Sequence, residues 1–224
     1  MKEKKEKNMN KNVTEMIMIL DRSGSMSGLE NDTIGGYNAL LVKQKTAPGR
    51  AFLSTILFDD SFQVLHDRVD VREVKPLTDQ DYYVRGTTAL LDAIGRSIIK
   101  VIQVQKSLNE EEQAGHVIFV ITTDGHENAS VEYSYKDIKT MIERQKKVYG
   151  WEFIFLGANI DAVNVAERVG IRSDRSANYH SDSKGTNLNY EVLSDAIMEL
   201  RTDHRLSENW KSRIDKDFQK RTKN

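Results

Sequence analysis

Three stretches of this chain are nearly unbroken apolar runs: MIMIL at 16–20, HVIFVIT at 116–122 and WEFIFLG at 151–157. A strand that is apolar on both faces has to be covered on both faces, as happens in a parallel sheet flanked by helices. A fourth run, AFLSTILF at 51–58, is followed after Asp59-Asp60-Ser61 by a strand candidate at 62–65. So short a polar connection predicts an antiparallel hairpin.

Between these runs the apolar period changes from continuous to helical. Leu29, Ile34, Tyr37, Leu40 and Leu41 share one face, as do Leu90, Leu91, Ile94, Ile98, Val101 and Ile102 from Ala89 onward. Gly35 and Gly36 weaken the first helix on propensity, and tight packing against a sheet would account for them. Further helices are expected at 134–148, 162–169 and 188–200, with a polar strand near 177–180. Strands alternating with amphipathic helices predict an α/β fold: a doubly wound, mostly parallel six-stranded sheet with one antiparallel edge strand. The expected domain is 13–203, preceded by a charged tail at 1–12 and followed by a charged tail or loose helix at 204–224.

With 224 residues and 38% hydrophobic content, the chain can bury the core of one ordinary domain. Lys and Arg number 33 against 34 Asp and Glu, a balance that points to no nucleic-acid partner. Cysteine is absent, which excludes disulfides, thiolate metal sites and thiol catalysis. The charged start MKEKKEKNMNKN has no apolar segment of signal-peptide length, and no run approaches the ~20 apolar residues of a membrane helix. A soluble, cytoplasmic protein with no membrane partner is the expectation.

In a doubly wound sheet of order 3-2-1-4-5-6, strands 1 and 4 are neighbours and ligands bind beyond their carboxyl ends. Strand 1 ends at Asp21, followed at once by Ser23 and Ser25; strand 4 ends near Asp124 in TTDGHEN. A third polar loop, RGTT at 85–88, opens the helix that begins ALLDAIG. Each segment taken alone also reads as turn or helix-capping chemistry, with Asp124 in an ordinary Asp-Gly turn. The strand order brings the first two of these loops, with two acids and small hydroxyls, to one crevice. Such oxygen-only donors suit a hard cation like magnesium and offer zinc no histidine or cysteine.

The three segments, in this order, resemble the von Willebrand factor type A (vWA) domain with its metal-ion-dependent adhesion site (MIDAS). The resemblance spans about 14–201. It implies that Ser23, Ser25 and Thr88 supply hydroxyl ligands, while Asp21 and Asp124 hold the ion mainly through waters. Thr88 is preferred to Thr87 because the family's loop reads Gly-Gly-Thr before the helix, and Thr87 stands where the second glycine would be. The implied cofactor is Mg2+, with Mn2+ or Ca2+ as alternatives. The implied function is capture of an Asp or Glu from a partner protein, in some relatives beside an ATPase or chelatase.

The alternative is a metal-dependent hydrolase or phosphotransferase using the same crevice. Against it, Ser23 stands where a D-x-D phosphotransferase has its second aspartate, and no P-loop, H-E-x-x-H or G-x-S-x-G signature occurs. No catalytic residue is therefore assigned, although His126 would be the available base. Arg22, His126, Asp59 and Asp60 read as loop residues open to solvent or in turns. Glu127 and Asn128 read as caps of the helix that follows them. His180 and Asp182 pair suggestively but lack a third ligand.

Overall fold

The computed structural model describes residues 10–222; most of the tail expected at 1–12 lies outside the described residues. Six strands form one sheet: β1 (Asn10–Asp21), β2 (Arg50–Phe58), β3 (Phe62–Asp70), β4 (Ala114–Thr123), β5 (Glu152–Ala158) and β6 (Ser176–Tyr179). Their order is β3-β2-β1-β4-β5-β6, the order the sequence predicts. All neighbouring pairs are parallel except β2 and β3, which run antiparallel at the edge.

The continuous apolar runs serve two cores at once, because successive side chains of a strand point to opposite faces. Met16, Met18 and Leu20 of β1 pack on one side with α1 (Glu30–Thr46) and α5 (Ser183–Asp203). Ile17 and Ile19 pack on the other with α2 (Leu90–Ser107), α3 (Tyr135–Tyr149) and α4 (Ala162–Arg168). Helix α3 starts in a capping box between Ser134 and Asp137 and ends at Gly150, whose φ of 66° is the left-handed conformation glycine adopts freely.

Four features differ in detail from expectation. Gly36 owes its place to a helix rather than to the sheet: a Cβ there would lie 2.4 Å from the Tyr190 ring on α5. Helix α5 begins at Ser183, a turn before the apolar pattern at 188 does, because the Asp182 carboxylate caps it by accepting from Gly185 N at 2.8 Å. Of the two forms expected for the charged stretch after Asp203, tail or loose helix, the structure shows a packed helix. The stretch folds into α6 (Ser212–Thr222), anchored by buried Leu206, Trp210 and Ile214, with half-buried Phe218 four residues further on. Only Ile214 and Phe218 lie in the helix itself, one turn apart, while Leu206 and Trp210 precede it in a segment otherwise dominated by charge. At the other terminus β1 already begins at Asn10, within the expected tail, with Asn10 N donating to Gln113 O at 3.2 Å. Among the described residues, no helix is long and apolar enough to cross a membrane.

Candidate metal centre

β1 and β4 are hydrogen-bonded neighbours in register, Leu20 opposite Thr122, so their ends place Asp21 and Asp124 at the same edge of the sheet. Asp21 is 1% exposed. Its Oδ1 accepts from Ser23 N at 2.7 Å and its Oδ2 from the Thr123 hydroxyl, so one carboxylate shapes both loops. Burial pushes the Asp21 pKa up to about 6; the Thr123 and Ser23 hydrogen bonds oppose this, and the Asp124 charge adds to it.

Above Asp21 three hydroxyls converge. Ser23 Oγ lies 3.0 Å from Ser25 Oγ and accepts from Thr88 Oγ1 at 3.0 Å. Thr88 is buried and Thr87 exposed, so it is Thr88 that joins the cluster. Its loop is pinned from two sides. Thr88 N donates to Asn128 Oδ1 at 2.9 Å, and Gly24 N donates to Gly86 O at 3.2 Å. Gly125 leaves room for the cluster: a Cβ there would sit 2.8 Å from Ser25 Oγ and 2.9 Å from Thr88 Oγ1.

Asp124 closes the group and is 2% exposed. Its Oδ2 accepts from Ser181 Oγ at 3.1 Å, whereas its Oδ1 is buried without a hydrogen-bond partner. Burial raises its pKa, with the nearby Ser25 and Ser181 hydroxyls pulling the other way. A buried carboxylate oxygen left unpaired is costly unless something positive or a donor meets it. Ser23, Ser25, Thr88 and Asp124 line an open crevice of about 370 Å³, with His126 and Asn159 also lining it. All five expected residues thus come together, four around the crevice and Asp21 beneath it. No cluster of three or more His, Cys, Asp or Glu side chains is placed to hold a metal among the described residues. An ion here would rest on hydroxyls, two carboxylates and water, a donor set that fits a hard divalent cation.

Several neighbours differ from their sequence reading. Arg22 is fully buried; its Nε bonds Asp59 Oδ2 at 2.9 Å and its Nη1 bonds Gln63 Oε1 at 2.6 Å. Asp59 is equally buried and also takes Arg85 at 2.6 Å, so this ion-paired trio braces the loop behind Ser23 rather than facing solvent. Glu127 caps the helix before it, accepting from Leu91 N of α2 at 3.0 Å. Asn128 holds Thr88, as described. His126 is exposed, as expected. His180 bonds the Phe218 carbonyl and Asp182 caps α5, so neither joins a second metal site. Two supporting residues carry no sequence signal. Asp92 accepts from the backbone N–H groups of Val131, Glu132 and Tyr133, ordering the loop after β4, and Ser181 touches Asp124.

No protein-family model matches the chain, and no curated protein is similar to it in sequence. Solved structures are similar in shape. Proximal thread matrix protein 1 from the mussel byssus, with zinc occupying its MIDAS motif, aligns at TM-score 0.59 and 12% identity over 85% of this chain and 46% of that one. A von Willebrand factor type A protein from Catenulispora acidiphila aligns at TM-score 0.53 and 12% identity, over 84% of this chain and 43% of that one. The chain therefore spans a little under half the length of these structures. Likeness at such identities is a likeness of fold, and the fold of this chain is that of the vWA domains.

Proposed function

We propose that this chain is a divalent-cation-dependent protein-binding module, in which an ion held at the crevice completes its coordination with an Asp or Glu of a partner. Ser23, Ser25 and Thr88 would ligate directly; Asp21 and Asp124 would act mainly through bound water. Magnesium is the proposed ion, with manganese or calcium as substitutes. The zinc-occupied motif of the byssus protein keeps zinc among the ions to be tried. The observation that carries the reading is the chain of hydroxyls at 3.0 Å beside the unpaired, buried Asp124 Oδ1. Hydroxyl ligands leave the charge of a divalent ion only partly neutralised, so a further anionic oxygen is attracted to an open position.

The test is calorimetric titration of magnesium, manganese, calcium and zinc into the wild type and into Asp21→Ala/Ser23→Ala, with and without excess acetate. Saturable binding that the double variant loses, and that acetate strengthens, is the expected result. No binding of any ion to the wild type, even with acetate, sinks the reading. A parallel assay with a generic phosphoester separates a binding module from a hydrolase, since metal-dependent turnover abolished in the double variant would favour catalysis.

A further inference from the structure

Asp124 offers two oxygens, and the chain treats them differently. Oδ2 is held by the Ser181 hydroxyl, while Oδ1 is buried without a hydrogen-bond partner, and Asp124 lines the same crevice as Ser23, Ser25 and Thr88. Ser181 sits in the short loop between β6 and α5, 57 residues from Asp124 in sequence. That loop is tightly built. Asp182 N donates to His180 O at 2.8 Å, and a Cβ at Gly185 would stand 2.1 Å from the same carbonyl oxygen.

Both neighbours of Ser181 are gripped by α6. The His180 ring stacks on Phe218 with centroids 4.8 Å apart, and its Nε2 donates to the Phe218 carbonyl at 3.2 Å. Arg221 pairs with the Asp182 carboxylate and is itself steadied by Asp217 at 3.0 Å. The contacts form a continuous path from the last helix to the carboxylate at the crevice.

We propose that Ser181 is a positioning residue of the metal centre, turning Asp124 so that Oδ1 faces the ion, and that α6 clamps the loop that carries it. A carboxylate with one oxygen fixed has lost the freedom to rotate away, so the ion meets a preset acceptor. Partners of this kind that orient a metal's ligands commonly change its affinity by about 10–100-fold when removed. The inference rests on the metal reading above, and the experiment separates the two.

Magnesium would be titrated by calorimetry into the full-length wild type, Ser181→Ala, Ser181→Thr and Phe218→Ala/Arg221→Ala. Each melting midpoint would be measured in chelator. Ser181→Ala is expected to bind magnesium about tenfold or more weakly, to melt in chelator like the wild type, and to be rescued by Ser181→Thr. The α6 double variant is expected to lose part of the same affinity. Equal affinity of the wild type and Ser181→Ala overturns the positioning role and leaves the metal reading intact. A wild type that takes up no magnesium, with or without acetate, overturns both. A loss of affinity that comes with a lower melting midpoint in chelator and is not rescued by threonine means packing alone, and also overturns the proposal. Full affinity in the α6 variant removes the clamp.

Discussion

At Asp21, a single carboxylate supports the site at a cost to the metal-free fold. Its pKa in the folded chain, about 6, lies above the ordinary 3.8, so the folded state holds this proton more tightly than the unfolded one. The resulting stabilisation is complete below about pH 4 and is lost as pH rises through about 6. At neutral pH the ionised group is a buried charge held by the Ser23 and Thr123 hydrogen bonds. Asp21→Asn keeps the shape without the charge. In chelator at pH 7 it should therefore be more stable than the wild type, by up to about 3 kcal/mol at about 1.4 kcal/mol per pKa unit. That gap should close as pH falls from 6 to 4 in urea denaturation series, and a gap independent of pH would refute the argument. Asp21, Ser23, Ser25 and Asp124 could be picked out because their types and their places at or just beyond strand ends are local facts, whereas Thr88 was named only through the family resemblance. Arg22 was not: its buried role depends on Asp59, 37 residues away, and nothing beside it in sequence announces the pairing.

Among the elements, the helices were read from their apolar period, and their errors follow from features without one. Helix α6 carries only Ile214 and Phe218 as apolar residues, with Leu206 and Trp210 in the stretch before it, all within a charged segment. The first turn of α5 is polar and stands on its cap. The two glycines in α1 looked like a flaw of propensity, yet Gly36 is the close contact between α1 and α5. Gly36→Ala illustrates the balance. The substitution gains helix propensity but overpacks the Tyr190 ring, and overpacking a tight contact commonly costs about 1–3 kcal/mol. A lower thermal midpoint is expected despite the better helix former, whereas Gly35→Ala, with nothing within 4 Å, should raise it. Equal responses at the two positions would contradict the packing account.

For the whole molecule, the strand order was legible because few topologies satisfy continuous apolar strands, right-handed crossovers and one hairpin. That order alone brings the ends of β1 and β4 together. If the crevice binds magnesium, the ion is linked to global stability. At about one hundred times the dissociation constant it adds about 2.7 kcal/mol. For a domain of this size that is a rise of about 5–11 °C in melting midpoint, at about 2–4 °C per kcal/mol. Asp21→Ala/Ser23→Ala should show no such rise in a thermal scan with and without magnesium.

The bond from Ser181 to Asp124 also bears on how the molecule is made. The crevice draws on residues from 21 to 181, joined by contacts as distant as the 102 residues between Asp21 and Thr123. No fragment that ends before β6 contains every part. Contacts so far apart in sequence form slowly, because each requires a long loop to close before it repays the cost. If the crevice takes up an ion as proposed, that uptake during refolding should keep pace with the slowest phase, rather than with the early appearance of helix, making it a clock for the completion of the fold.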